Sequence, residues 1–295
     1  MIDLHMHTNH SDGTDSVEEL LKNAEKKHLE VISITDHDSI DAYHEIDENP
    51  SLRSLYSGTL IVGTELRALY HKHNIEVLGY GIDYKKLKIA KMDSFQIQTN
   101  NLERLKRTAK KLGVRYEEEI QICKDDPRYF YGSHTFARSA LKFPENIQIF
   151  EEMGLPFEET SFYRVHESNP QSPFYIDNSD CFPSFESVVD SIHEAGGLAF
   201  LAHGYVYQFE NPKAVIEEML ATTKIDGAEC EYPLFSEEQR KEIKALCEKY
   251  GKYQSGGSDY HAGNKPHIAL GSGIDGNLAI PKSMIKNWIS KVKTR

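Results

Sequence analysis

Apolar and polar positions alternate at the start of the chain, Ile2, Leu4 and Met6 alternating with Asp3, His5 and His7. A period of two predicts a strand with one apolar face and one face carrying polar groups, so that His5 and His7 point the same way. Asp12-Gly13 reads as a turn that returns a carboxylate over the strand end. The period then changes: Asp15 reads as an N-cap with Glu18 at the capping-box position, opening a helix with Leu20, Leu21 and Ala24 on its apolar side. Val31–Ile34 is a short buried strand that runs into Thr35-Asp36-His37-Asp38. Strand, helix, strand with short connections predicts a parallel βαβ unit in a sheet or barrel. Two more strands follow, Leu60–Thr64 ending at Glu65, and Ile75–Tyr80 carrying Glu76.

Between about Asp93 and Phe182 the pattern becomes helical. It predicts a long amphipathic helix at Phe95–Lys111 and shorter pieces at Glu117–Cys123, His134–Lys142 and Glu145–Met153. The βα rhythm returns at Ser184, the N-cap of a helix closed by Gly196-Gly197. Strands follow at Leu198–Ala202, Ile225–Glu231 and Tyr253–Gly256, with a capping box at Ser236 and Gln239 and a terminal helix at Pro281–Lys291. The expected organisation is an α/β barrel domain over 1–92 and 183–295, with a mostly helical insertion over 93–182 placed to cover a site.

Composition narrows the partners. At 295 residues the chain can bury a large core, and 39% hydrophobic with 27% charged residues is ordinary for a globular protein. The net charge of −12, without a basic block, disfavours general nucleic-acid binding but admits a small phosphorylated ligand if cations reverse the local field. Cys123, Cys181, Cys230 and Cys247 show no C-x-x-C spacing, which predicts free thiols in a reducing compartment. No signal-peptide pattern and no membrane-length apolar run are visible, so the expectation is a cytoplasmic protein without a membrane partner.

In βα folds, catalytic groups collect at the carboxyl ends of strands. The residues expected there are His5, His7, Asp12, His37, Glu65, Glu76, His203, Asp259 and His261. Taken alone, His5 and His7 fit either a metal pair or two structural histidines bonded to backbone. The larger set, imidazole and carboxylate without thiolate, suits Zn, Mn or Fe, and its size exceeds the coordination number of one ion. Two or three divalent cations sharing carboxylates are the equipment of phosphatases and nucleases.

The chain resembles the PHP (polymerase and histidinol phosphatase) family of metal-dependent phosphoesterases. The resemblance rests on LHMHTNHSDG, SITDHD, GTEL, LGYGID, LAHG and GGSDYHAGNKP, in that order, and spans nearly the whole chain. It implies a distorted (β/α)7 barrel with a trinuclear metal centre. The family ligands carry over to His5, His7, Asp12, His37, Glu65, His203, Asp259 and His261. The ninth family ligand is usually a histidine, where this chain has Glu76, and Gly204 replaces the usual proline after His203. SHTFAR resembles a stretch of the subfamily that carries a helical insertion and includes phosphatases of 3′,5′-nucleoside bisphosphates. That resemblance makes His134 and Arg138 substrate-binding candidates, with Lys265 a further one. Asp36 is expected to orient a ligating histidine.

The expected reaction is hydrolysis of a phosphomonoester of a small metabolite, foremost a 3′,5′-nucleoside bisphosphate, by a metal-bound hydroxide, with Arg138 neutralising phosphoryl charge. His203 and Asp259 are the candidates to protonate the leaving group. The alternatives are a histidinol-phosphate phosphatase, an exonuclease on short oligoribonucleotides, and a metal-binding module without turnover. The sequence carries no signal for oligomeric state.

Overall fold

In the computed structural model, which describes residues 1–89, 94–117, 132–159, 161–178 and 180–295, seven strands form one sheet in sequence order. β1 (Ile2–Asp3) pairs in parallel with β2 (Val31–Ile34), and β2 with β3 (Thr59–Tyr70), in the register Ile2–Val31 and Val31–Thr59. β3 returns through a two-residue turn as β4 (His73–Tyr80), which lies antiparallel to β5 (Leu198–Leu201). β5, β6 (Gly227–Glu231) and β7 (Tyr253–Gly256) are again parallel, with a bulge between Glu229 and Glu231. The sheet closes on itself where Leu4 donates to the Gly256 carbonyl at 3.2 Å and Met6 bridges Tyr260.

The hairpin is the departure from an all-parallel βα barrel, and it matters for the site. Because β4 runs against its neighbours, its beginning lies beside their carboxyl ends. Glu76, near the start of β4, is therefore delivered to the same rim as the residues that end the parallel strands.

By contacts the chain divides into two units, 1–68 with 75–90 and 183–295, and 69–74 with 91–182. The barrel core gathers Ile2, Leu4, Val31, Ile61, Leu78, Tyr80, Phe200 and Trp288. Trp288 is fully buried, stacks on Tyr80 at 5.6 Å and donates its indole N–H to the Gln254 carbonyl at 2.9 Å. Burial of the ring with its one polar atom satisfied is the arrangement that makes a core tryptophan stabilising. The helix expected at Pro281–Lys291 is instead two 3₁₀ turns, Lys282–Ile285 and Ile289–Lys291. Ile285, which ends the first turn, and Trp288, which precedes the second, both reach the core.

The first outer helices of this unit are α1 (Val17–Lys26) and α2 (Asp41–Glu48). Ser16, one residue past the expected cap, begins α1, closing a capping box with Glu19. Asp15 is committed elsewhere, accepting from Asn23 at 3.0 Å and from the Tyr260 hydroxyl at 2.9 Å. α2, which the sequence pattern does not announce, has no side-chain cap and buries only Ala42, Tyr43 and Ile46.

The second unit contains α3 (Ser94–Leu112), α4 (Gly132–Ala140) and α5 (Asn146–Glu152) around Leu102, Leu105, Phe136, Phe150, Phe162 and Phe174. The hairpin tip belongs to it through Tyr175, whose hydroxyl donates to the Lys72 carbonyl at 3.1 Å. The helical piece expected to end at Cys123, and Cys123 itself, lie outside the described residues. The barrel unit resumes with α6 (Phe185–Glu194), α7 (Pro212–Thr222) and α8 (Glu237–Lys249), of which α6 is capped by Ser184 and α8 by the expected Ser236–Gln239 box. No described helix is long and apolar enough to cross a membrane.

Candidate metal centre

Residues Ile2 to Thr8 are all buried, so the polar face of the opening strand looks into the protein. His5 and His7 occupy that face. Gly257 permits the approach of the β7 end, since a Cβ there would lie 2.4 Å from the His5 Cβ. The Asp259 amide then donates to the His5 carbonyl at 2.8 Å and the His7 amide to the Tyr260 carbonyl at 2.8 Å. This backbone ladder carries Asp259 and His261 to the histidines of the first strand, more than 250 residues away in sequence.

Glu65 is the hub. It is fully buried, and its Oε2 lies 3.1 Å from His5 Nε2, 3.3 Å from His7 Nε2 and 3.2 Å from His37 Nδ1. Its Oε1 lies 2.9 Å from His203 Nε2, which is also 3.4 Å from Glu76 Oε2. Asp12 sits on the other side, 3.0 Å from His261 Nε2, 3.7 Å from His37 Nε2 and 3.6 Å from His7 Nδ1. Asp259 offers Oδ1 to His5 and His7 at 3.5 and 3.4 Å. Its Oδ2 accepts from the Tyr232 hydroxyl at 2.8 Å and from Lys265 Nζ at 2.6 Å.

Among the described residues, three groups bring their ligand atoms within 4.8 Å of one another: His7, Asp12, His37 and His261; His5, His7 and Glu65; His37, Glu65 and Glu76. His7, His37 and Glu65 each belong to two of them, the sharing that a multinuclear centre requires. His203 and Asp259 join the same cluster through their contacts with Glu65, His5 and His7. The glutamate at position 76, where the family usually has histidine, still faces the cluster.

The residues fit divalent cations on their own geometry. Nε2 of His7 and of His261, and Nδ1 of His37, are buried and face Glu65, Asp259 or Asp12 at 3.0 to 3.4 Å without completing a hydrogen bond. Buried imidazole nitrogens without partners are costly, and a cation that takes their lone pairs removes the cost. His261 donates Nδ1–H to the Asp259 carbonyl at 2.9 Å, which leaves Nε2 to ligate. Among the described residues no sulfur joins the cluster: Cys230 and Cys247 lie 3.8 Å apart in the packing of α8 on β6 and form no disulfide.

Electrostatics agree. Burial works against the charged forms of His5, His7, Asp12, Glu65 and Asp259, yet these carboxylates and imidazoles hold each other ionised. Burial pulls His7 down, but Asp259, Glu65 and Asp12 outweigh it and raise its pKa to about 9. His5 is likewise raised, against burial, by Glu65, Glu229 and Asp259. Asp12, Glu65 and Asp259 stay well below the usual carboxylate range despite burial, held there by the histidines and, for Asp259, first by Lys265. His261 is the exception, pulled to about 4 by burial.

Two candidate ligands sit on strained backbone, His203 at φ 26° and Asp259 at φ 56°. Non-glycine residues adopt this left-handed region at a cost, and such strain gathers at functional sites. Asp36 bonds the Thr8 amide and hydroxyl, both at 2.7 Å, and the Ser11 hydroxyl at 2.6 Å. It thus fixes the loop between His7 and Asp12, reaching the His7 ring through Ser11, whose oxygen is 3.4 Å from His7 Nδ1. Gly204 is packed closely, since a Cβ would meet Leu201 at 3.0 Å and Ile216 at 3.1 Å. His134 and Arg138 lie on α4 of the second unit, where the Arg138 guanidinium bonds Glu159 at 2.6 and 3.0 Å.

Sequence reasoning did not single out two buried acids at the centre. Glu229 bonds His5 and His203, and Asp3 bonds His5 and the Ser258 that precedes Asp259. Each is an acid within a strand of apolar and small residues, Gly227-Ala228-Glu229-Cys230 and Ile2-Asp3-Leu4, and that is the signal that could have found them.

The model of the PHP domain matches residues 3–160. The chain is 27% identical to the 5′-3′ exoribonuclease Rnm of Escherichia coli, over 91% of this chain and 87% of that one. It is 24% identical to the 3′,5′-nucleoside bisphosphate phosphatase of Chromobacterium violaceum, over 88% and 87%. Among solved structures, a protein of Bifidobacterium adolescentis assigned by prediction to the metal-dependent phosphoesterases superposes with a TM-score of 0.65 at 22% identity, covering 99% and 96%. A Chromobacterium violaceum amidohydrolase with bound sulfate gives 0.60 at 24% identity, covering 89% and 88%.

Proposed function

The chain belongs to the PHP domain family, and from that premise we propose that it hydrolyses a phosphomonoester of a small nucleotide, foremost a 3′,5′-nucleoside bisphosphate. The observation that carries the reading is Glu65, one buried carboxylate shared among His5, His7, His37 and His203 at 2.9 to 3.3 Å. His5, His7, Asp12, His37, Glu65, Glu76, His203, Asp259 and His261 would hold two or three divalent cations. When bound, such cations polarise a phosphoryl oxygen and lower the pKa of water at neutral pH.

The chain's own residues then do the following. The carboxylates keep the centre anionic, so it takes up cations and only with them accepts a phosphate. Tyr232 and Lys265 hold Asp259 by one oxygen and leave the other directed at His5 and His7. Lys265, at the rim, is a candidate to contact a substrate phosphate. His134 and Arg138 are candidates for the same task, supported by the SHTFAR motif and by the chemistry of a guanidinium facing phosphate.

A second reading is 5′-3′ exoribonuclease activity, favoured by the Escherichia coli relative. The net charge of −12 weighs against long RNA, whose binding relies on a basic surface. One experiment separates the two: manganese-loaded protein is given 3′,5′-nucleoside bisphosphates, histidinol phosphate and 5′-phosphorylated oligoribonucleotides. Phosphate released fastest from the bisphosphates supports the first reading, and mononucleotides released fastest from the oligomers support the second. Silence on all of them, with metal bound, would mean a binding module.

A further inference from the structure

We infer that Glu229 is a positioning residue of the metal centre, selecting the nitrogen through which His5 ligates and holding the backbone of His203. This inference rests on the metal-centre reading above.

Glu229 is fully buried in β6, yet it belongs to none of the ligand groups. Both its oxygens are used. Oε1 accepts from His5 Nδ1–H at 3.0 Å, and Oε2 accepts from the His203 amide at 2.8 Å. A buried carboxylate is costly unless its charge is compensated and its lone pairs are bonded, so its retention in a barrel strand calls for a reason. The reason lies in what the two bonds decide.

A neutral imidazole carries one proton, on Nδ1 or on Nε2. The bond to Glu229 keeps it on Nδ1. Nε2 is then bare, and it faces Glu65 and Asp259 at 3.1 and 3.5 Å, within the cluster. The second bond acts on main chain. His203 has φ 26° and ψ 51°, a conformation that a non-glycine residue keeps only when its surroundings enforce it. The carboxylate that receives its amide does so, and thereby aims the imidazole at Glu65 and Glu76. One side chain thus ties a ligand from β1 to a ligand after β5. The bulge between Glu229 and Glu231 lies at this point, where register shifts occur while the strand's acids are being aimed. Glu231, by contrast, pairs with Lys244 and Arg240 outside the cluster.

The test uses full-length protein labelled with nitrogen-15 in histidine, stripped with chelator and reloaded with zinc. In the zinc-loaded wild type, His5 is expected to show an exchange-protected Nδ1–H, with Nε2 in the metal-bound range. Glu229→Gln presents either an amide N–H or a weaker acceptor to Nδ1. It is expected to lose that resonance and to bind one zinc equivalent about 10- to 100-fold more weakly in chelator competition. Glu231→Gln, on the same strand, is expected to match the wild type in both readouts. An Nε2–H on His5 in the loaded wild type would overturn the inference without any variant, which keeps the test decisive if Glu229→Gln does not fold. Unchanged zinc affinity in a folded Glu229→Gln would overturn it as well. If the wild type bound no zinc or manganese at all, the metal-centre reading itself would fall.

Discussion

Asp3 holds Ser258: its carboxylate accepts the Ser258 amide at 2.9 Å and the Ser258 hydroxyl at 2.5 Å. It also accepts the amides of His5 at 3.3 Å and Gly271 at 2.8 Å. Residues from opposite ends of the sequence are joined here by one fully buried acid. His5 lies two positions after it, and Asp259 one position after Ser258. Replacing Asp3 by Ala would leave several buried donors without acceptors, at a cost of about 3 kcal/mol. Asp3→Ala is expected to lower the denaturation midpoint and to weaken metal binding together. Loss of stability with unchanged metal affinity would confine Asp3 to packing.

His261→Ala removes the imidazole that stacks on His7 at 4.0 Å and faces Asp12 at 3.0 Å. The group of His7, Asp12, His37 and His261 then drops to three members. Turnover is expected to fall more than about 100-fold, and metal per chain to fall by up to one equivalent. A variant that keeps both would contradict the ligand assignment. Elemental analysis beside the phosphate-release assay decides it.

The cluster was legible because each candidate ligand pairs a metal-binding side chain with a strand end, a combination with few structural explanations. His37, Glu65 and His203 follow or end apolar runs that a two-residue period or a buried stretch already marks as strands. Their supports were less legible: Asp3 and Glu229 reach Ser258 and His203 across 255 and 26 residues, and no local pattern encodes such pairs. The antiparallel course of β4 was hidden for a related reason. A hairpin and a βα crossover begin with the same strand pattern, and only the two-residue turn after Tyr70 separates them. The terminal helix failed on period: Ile285, Trp288 and Val292 satisfy a helical face, yet one 3₁₀ turn ends at Ile285 and the next begins at Ile289, with Trp288 between them.

Arg138→Ala is the test of the substrate-binding role suggested by SHTFAR. Its guanidinium bonds Glu159 and is largely exposed, so removing it should cost little stability. If it contacts phosphate, KM should rise about 10- to 100-fold, the worth of a charge-assisted hydrogen bond, while metal content stays constant. An unchanged KM would reduce Arg138 to the ion pair it already makes. Steady-state kinetics on the bisphosphate panel supply the readout.

In the second unit, Glu167 is buried beside Asn101, whose side-chain amide donates to it at 2.8 Å. Burial raises its pKa to about 7, against the pull of Asn101, Ser133 and Arg104. Below the ordinary value of 4.5 both folded and unfolded chains carry this proton. Between 4.5 and about 7 only the folded chain does, so stability falls as pH rises through that window. Above it the loss is complete, on the order of 3 kcal/mol for a shift of this size. Glu167→Gln keeps an acceptor for Asn101 without the charge and is expected to flatten this part of the profile. Hydrogen exchange of α3 and α4 amides in the full chain at pH 5 and pH 8 measures it, and equal slopes in both proteins would show that Glu167 does not titrate there.

Cation binding must displace protons. His7 keeps its proton to about pH 9 in the absence of metal, and His5 is also raised, so at neutral pH a cation that takes their lone pairs releases what they hold. Two consequences follow with a definite sign. The heat of manganese or zinc binding at pH 7 should depend on the ionisation enthalpy of the buffer, with protons leaving the protein. Apparent affinity should rise with pH up to about 9, because fewer protons then have to be displaced. Since the cation binds the folded chain, metal at 100 times its dissociation constant should stabilise the barrel unit by about 2.7 kcal/mol, and chelator should remove that gain. Calorimetry in two buffers checks the first consequence. An affinity that stays flat from pH 6 to pH 9 would show that His5 and His7 are already neutral in the metal-free protein, and that the carboxylates around Glu65 do not hold the charge inferred for them.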